Sequence, residues 1–417
     1  MTPMDPTEAS AQPAHLAGTP APVPACGPGR FVSVDALRGF DMVWIIGGAE
    51  VVRSFAVMTG QNWLVPQMEH IDWAGLHFYD LIFPLFIFIV GVSLVFSLSK
   101  TLSQFGRAEA LRRVFRRSVL LYLLGFIFSG GFKNPWPELH FAGVLQRIAA
   151  AYFFAALIFC FFNRRGMIAW CVALLVGYDA VMSLVPMRDI HLDNKTFDLI
   201  AAQTGERVPM RIFLGTTNWV SAKFTRDYNV ANQVDFLHLP GFKGYEYYDP
   251  DGLLSTIPVV ATCLLGVFAG LLLKSSMMDR MKLFYLLLGG VILLNLGLIW
   301  ALHFPVVKRL WSPSYVLVSG GLSAIALAAF YWLADMARFQ KWCAPFVWVG
   351  MNSITIYFSK CLVDYTTLGS RLAGGDIKHF LNARLSGLGD FMVSCIGLAL
   401  ALWLCRFLYV RKVFLRL

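Results

Sequence analysis

The chain has 417 residues, 57% of them hydrophobic and only 14% charged, which excludes a soluble globular protein of this size. The formal net charge of +10 does not point to nucleic acid, because the basic residues gather at one set of helix ends. The eight cysteines form no CxxC and no Cys/His cluster, so they imply neither a disulfide framework nor a metal site. The expected fold is an all-α integral membrane protein, a polytopic helix bundle partnered by the lipid bilayer.

In chain order, residues 1–30 are rich in Pro, Ala and Thr and have no continuous apolar core. They read as a disordered cytoplasmic tail, not as a signal peptide. His15 and Cys26 fall in this tail. Residues 31–417 read as the membrane domain. Crossing the hydrocarbon takes about 20 apolar residues, and roughly ten stretches qualify. They lie at 33–55, 77–99, 116–132, 141–162, 167–186, 252–273, 283–302, 314–334, 343–364 and 389–410.

Basic side chains cluster after every second span, from Lys100 through Arg107, Arg112, Arg113, Arg116 and Arg117 to Arg164 and Arg165. The pattern continues at Lys274, Arg280 and Lys282, then at Arg338 and Lys341, and ends at Arg411, Lys412 and Arg416. The positive-inside rule therefore places both termini in the cytoplasm. The basic stretch 101–117 suits the anionic inner membrane surface. The longest hydrophilic stretch, 187–251, becomes an extracytoplasmic loop, long enough to fold over the bundle as a cap. No internal repeat is evident.

Ionisable groups inside a bilayer cost about 2.5–3.5 kcal/mol each by insertion scales, so each asks for a partner or a role. Asp35, Arg38 and Asp41 are spaced three apart in the first span, where neighbours can pair on a helix surface. An ion-pair ladder and an anion-binding site fit this spacing equally well. Asp80, Gln146, Arg147, Asp179, Lys360 and Asp364 map to the outer half of the bundle with His70, His77 and His140. Lys360 and Asp364, one turn apart, are expected to pair with each other, whereas Asp80 and Arg147 have no local partner. Pro84 and Pro258 read as kinks, and Asn352 and Ser353 as interhelical hydrogen-bond formers.

His70 lies in the loop Pro66–Gly75 between Glu69 and Asp72, just before His77, Tyr79 and Asp80. An imidazole beside carboxylates at the mouth of a helix bundle has the parts of a general base or a nucleophile. The plain alternative is an interfacial histidine bonded to a loop carbonyl. His140 is a second, weaker candidate of the same type, and His303 reads as incidental. Asp80 or Asp72 is the orienting carboxylate, with Asp80 preferred because a buried carboxylate without a local partner is costly unless used.

Several stretches, taken in order, resemble the heparan-alpha-glucosaminide N-acetyltransferase family, in particular its bacterial branch. They are Ser33–Phe40, His70–Leu76, Tyr79–Phe88, Gly143–Ile148 and Gly350–Ile354. The resemblance implies acetyl transfer from cytosolic acetyl-CoA to the amino group of a glucosamine-type sugar or glycan across the membrane, with no metal. It puts His70 on the family's active histidine and implies a bacterial cytoplasmic membrane as the location; a homodimer is the candidate assembly, with the oligomeric state left open by the sequence. With a cytosolic donor, Arg38, helped by Arg112 and Arg113, is the expected contact for the coenzyme A phosphates. Gln146, Arg147, Asn352 and Ser353 complete the expected donor-binding set. Where the animal enzyme has an asparagine at the outer end of the first span, this chain reads Gly47-Gly48-Ala49-Glu50. Bacterial relatives have also been labelled sugar-uptake proteins, so a sugar or amino-sugar transporter is the alternative.

Overall fold

The computed structural model describes residues 31–221 and 223–415. The expected tail, with His15 and Cys26, and Arg416 at the far end lie outside these residues. Among the described residues, eight helices are long and apolar enough to cross a membrane: Val32–Thr59, Phe78–Lys133, Val144–Phe161, Arg164–Leu184, Thr256–Lys274, Asp279–Trp300, Pro313–Met336 and Leu388–Val410. This bears out an all-α membrane protein.

The second of these elements holds two of the expected stretches, 77–99 and 116–132. Its backbone breaks at Gly106, with φ 78° and ψ −177°. Arg113 Nη1 donates to Thr101 Oγ1 at 3.4 Å. Twelve residues of straight helix would separate the two by about 18 Å, beyond an arginine's reach. The chain therefore folds back at Gly106, where glycine meets the left-handed φ at no steric cost. The expected stretch 343–364 is instead two short helices, Gln340–Met351 and Ser353–Leu362, broken at Asn352. Neither is long enough to cross by itself.

Two expected kinks are absent for one reason. Pro84 is the third residue of the helix Ile82–Phe128, and Pro258 the third of Thr256–Lys274. A first-turn N–H has no intrahelical partner, so proline there removes nothing and bends nothing.

Two glycines from distant motifs bring the first helix against Gln340–Met351. A Cβ on Gly39 would collide with the backbone carbonyl of Phe346, and one on Gly350 with that of Asp35. Only glycine at both positions allows this backbone approach, the device by which membrane helices pack without a hydrophobic driving force. The core includes Leu37, Ile87, Phe88, Val259, Leu264 and Tyr315, all buried. Cys160, Cys171, Cys263, Cys343 and Cys405 are buried too, in keeping with small apolar side chains.

Residues 187–251 form a small layer of their own. Helices Asn194–Thr204, Pro209–Gly215 and Val230–His238 accompany a two-stranded antiparallel sheet, Met187–Arg188 with Trp219–Val220. Its core of Met187, Tyr228 and Val230 is shared with Tyr178 of the helix Arg164–Leu184 and with Phe304 and Leu310 of the loop after Asp279–Trp300. Trp73, from the His70 loop, donates its indole N–H to Phe224 O at 2.8 Å and so docks that loop on this layer.

Candidate active site

The site begins with a turn. His77 is the extended N-cap of the 3₁₀ turn Phe78–Leu81, and Asp80 at its third position reaches back to the His77 N–H in a capping box. Asp80 Oδ2 accepts that N–H at 3.1 Å and the Ile71 N–H at 3.3 Å. The Tyr315 hydroxyl donates to the Asp80 backbone carbonyl at 2.6 Å. The carboxylate is 0% exposed and held from three sides. Its remaining oxygen, Oδ1, lies 2.9 Å from His70 Nδ1. A carboxylate oxygen only accepts, so the proton between them sits on Nδ1, which leaves the Nε2 lone pair as the ring's acceptor. The His70 side chain is 52% exposed, a wet imidazole oriented by a dry carboxylate.

A second group arrives from 238 positions further along the chain. Lys308 Nζ stands 2.8 Å from His70 Nδ1, 3.3 Å from His70 Nε2 and 3.3 Å from Asp80 Oδ1. Burial pushes the Lys308 ammonium below its ordinary pKa, against the opposing pull of Asp80. Nothing in the sequence around Lys308 singles it out.

His70, Tyr79, Arg147, Lys308 and Asp251 share a cavity of about 360 Å³, which continues past Phe83, Phe86, Leu121 and Ile148. Its imidazole and charged side chains are His70, Arg147, Asp251, Lys308 and Arg309, and the rest of the lining is apolar or aromatic apart from Ser353. Tyr245, Pro250 and Asp251 of the outer layer close one side. Arg147 is buried there and paired with Asp251 at 3.3 Å, donates to Ser255 Oγ at 2.5 Å, and stacks on Trp311 at 5.3 Å. Arg147 thus has a partner, supplied by a loop about a hundred residues distant.

Other expected residues are placed elsewhere. Asp72 does not orient His70. It is 78% exposed and faces Arg226 at 3.1 Å and Arg309 at 3.8 Å. Lys360 donates to the Ile45 carbonyl at 2.6 Å, beside the π-turn Trp44–Gly48. Asp364 caps the next helix through Thr366 and Thr367, so this couple is not a mutual pair. His303 approaches Asp179 at 3.5 Å, and Asp179 also accepts the Trp300 indole N–H at 3.0 Å. His140 is bonded to Asp249 at 2.8 Å, a lock between the fourth expected span and the outer layer.

Of the expected donor-binding residues, Arg147 and Ser353 line the cavity. Arg38 pairs with Asp35 at 3.8 Å and bonds to Ser93 Oγ. Arg112 and Arg113 are both held by Glu109, at 2.8 and 2.9 Å. Gln146 and Asn352 are buried, with Asn352 donating to Trp348 O at 3.1 Å. Asp41, next to the Asp35–Arg38 pair in sequence, is fully buried with no hydrogen-bond partner for either oxygen among the described residues.

No protein-family profile matches the chain. It is 27% identical over 380 residues to the heparan-alpha-glucosaminide N-acetyltransferase of Homo sapiens, covering 79% of this chain and 52% of that protein. It is 27% identical over 376 residues to the Mus musculus protein of the same name, covering 79% and 53%. The chain is thus similar, over most of its own length, to the heparan-alpha-glucosaminide N-acetyltransferases. It spans about half the length of the curated relatives it matches. The motifs that carry the resemblance are the ones the fold assembles, since Gly39 packs on the Gly350 segment and His70 bonds to Asp80.

Proposed function

We propose that this protein transfers an acetyl group from cytosolic acetyl-CoA to the amino group of a glucosamine-type sugar on the opposite side of the membrane. The observation that carries the reading is the His70–Asp80 pair, whose imidazole lines the shared cavity. In this reading ten segments cross the bilayer, the two halves of Phe78–Lys133 and the broken segment 340–362 included. Both termini then lie in the cytoplasm, and the 187–251 layer and His70 face outward. The name of the relatives supports the amino-sugar acceptor and the acetyl group. Acetyl-CoA is the acyl donor that such a transfer implies, and a bacterial inner membrane and a homodimer complete the proposal.

His70 has two routes. Nε2 takes the proton as the amine attacks the thioester, or Nε2 attacks first and carries the acetyl group to the amine. Asp80 serves both by fixing the tautomer and the ring orientation. On the cytoplasmic side Arg38 is the proposed phosphate contact, while Arg112 and Arg113 reach a phosphate only by leaving Glu109.

The deciding experiment uses purified protein in sealed vesicles, with acetyl-labelled acetyl-CoA on the cytoplasmic face and glucosamine on the other. Label on the amine with wild type and not with His70→Ala is the expected result. Glucosamine crossing unacetylated, equally in both proteins, would make the protein a transporter and sink the proposal.

A further inference from the structure

Acyl transfer from a thioester passes through a tetrahedral oxyanion, and an enzyme gains most by holding a fixed donor where that charge develops. The donors nearest His70 are largely committed. The Ile71 and His77 N–H groups are spent on Asp80 Oδ2, and Tyr315 on the Asp80 carbonyl. Arg147 is engaged with Asp251 and Ser255; Arg309 is turned to Asp72 at 3.8 Å and stacked on Tyr245 at 4.4 Å, with its buried Nη1 bonded to no group among the described residues. Lys308 is paired with Asp80 Oδ1 at 3.3 Å too, but its ammonium has three N–H donors, stands 3.3 Å from His70 Nε2 and lines the same cavity.

We infer that Lys308 is a second catalytic residue, whose ammonium donates to the oxyanion formed at the thioester carbonyl. This rests on the acetyl-transfer reading above. When a nitrogen attacks the carbonyl carbon, the new oxyanion stands one bond beyond that carbon. A donor 3.3 Å from His70 Nε2 can then fall within roughly 2.7–3.1 Å of the oxygen, the range an oxyanion donor needs. In the direct route the amine nitrogen bonds to the carbonyl carbon and the π pair moves to oxygen. Collapse of the oxyanion breaks the C–S bond, and coenzyme A leaves as a thiolate. That thiolate takes up the proton that His70 removed from the amine. Lys308 keeps its three protons throughout. The acetyl-imidazole route places the same oxyanion beside the same ammonium.

The backbone holds Lys308 firmly. Ala74 and Val307 form an antiparallel bridge, with the Gly75 N–H on Val306 O at 2.9 Å, so the His70 and Lys308 loops are joined. The turn after Lys308 closes through Trp311 N–H to Lys308 O at 2.9 Å and Ser312 N–H to Val307 O at 3.2 Å. Trp311 adopts φ 51°, a left-handed conformation unusual for a bulky buried residue, and its indole N–H donates to Thr262 at 3.0 Å. Such strain persists only where the surroundings over-determine it, and it clusters at functional sites.

The test compares wild type, His70→Ala, Lys308→Met, Lys308→Gln and Lys308→Arg in the vesicle assay, with a thermal melt on each. Lys308→Met is expected to lower kcat roughly 10²–10³-fold, the loss typical of one oxyanion donor, with each KM within about threefold. Lys308→Arg should recover at least tenfold of that loss. Lys308→Gln, which keeps an N–H donor, covers the case in which Met disturbs folding, and it should fall between the two. An active wild type with Lys308→Met and Lys308→Gln both at full kcat would overturn the assignment and leave the transfer reading standing. A loss confined to KM would overturn it as well. A wild type that acetylates nothing removes the reading, and this assignment with it.

Discussion

The Ala74–Val307 bridge is the joint on which the site depends, since it fastens the loop of His70 to the loop of Lys308 across more than two hundred residues of chain. Asp80 then fixes both side chains, with one oxygen 2.9 Å from His70 and 3.3 Å from Lys308. An imidazole, the carboxylate that holds it and a cation thus come from three backbone segments that meet at one carboxylate oxygen.

Asp80→Asn tests the orienter separately from the base. Asparagine keeps the shape but has one acceptor oxygen where Asp80 uses two, and it cannot accept from His70 Nδ1 and cap His77 equally well. Acetyl transfer should fall by about 10²–10⁴-fold, with folding weakened by about 1–3 kcal/mol for the unsatisfied group. Steady-state kinetics and a thermal melt on the same preparation read both. Full activity in a folded Asp80→Asn protein would show that His70 needs no orienter.

How much of this was legible follows from what a sequence displays. His70, Asp80 and Arg147 stand out because charge inside an apolar stretch is expensive wherever it occurs. The hairpin at Gly106 is visible as a basic gap between two apolar runs. Lys308 is invisible, because a lysine in a short loop after Pro305 is what any membrane loop contains, and only the bridge to Ala74 brings it to the imidazole. Asp72 misleads for the converse reason. Two residues from His70 in sequence, it points outward to Arg226 because Trp73 is docked on Phe224. The Lys360–Asp364 couple fails because the helix ends at Leu362, which frees Asp364 to cap the next one.

The glycine contact between the first helix and Gln340–Met351 predicts a sharp intolerance. In both Gly39→Ala and Gly350→Ala the new methyl meets backbone, which cannot rotate away. Each should destabilise the bundle by about 1–3 kcal/mol or prevent assembly. Gly177→Ala, where no atom lies within 4 Å of the new group, is the control expected to melt like wild type. Equal melting of all three proteins would show that the two helices do not pack as closely as described.

The Arg147–Asp251 pair predicts an asymmetry. Arg147 is buried and also holds Ser255 and the Gly252 carbonyl at 3.4 Å. Arg147→Ala leaves the half-buried Asp251 without its cation and Ser255 and the Gly252 carbonyl without their donor, and breaking a buried pair from one side costs about 3–5 kcal/mol. Asp251→Asn should cost less, since burial already pushes the Asp251 carboxyl above its usual pKa and the amide keeps an acceptor for Arg147. Limited proteolysis at 239–252 should therefore be fast in Arg147→Ala and near wild type in Asp251→Asn. The reverse order would mean that Asp251, not Arg147, anchors the outer layer.

His140 and Asp249 give the outer layer a pH dependence whose sign can be worked out. The hydrogen bond to Asp249 raises the His140 pKa above the usual 6.5. Its contribution is full below 6.5 and is lost as pH climbs through the raised folded value. The Asp249 carboxyl is held below its usual 3.8, where burial, which pushes it up, is outweighed by the bonds from His140, Gly244 and Asp251. Its contribution is full above 3.8 and is lost as pH falls through the lowered folded value. The bond is therefore strongest between these limits and weakens on the alkaline side first. The measurement is the difference in melting temperature between wild type and His140→Gln from pH 5 to pH 9. That difference should be largest near pH 5, reflecting about 1–3 kcal/mol for a bond between charged groups, and should shrink as the imidazole loses its proton. Because Asp235, raised to about 7 by burial, titrates in both proteins, it cancels in the comparison. A difference that stays flat or grows toward pH 9 would mean that His140 packs as a neutral ring and that its charge plays no part in holding the layer down.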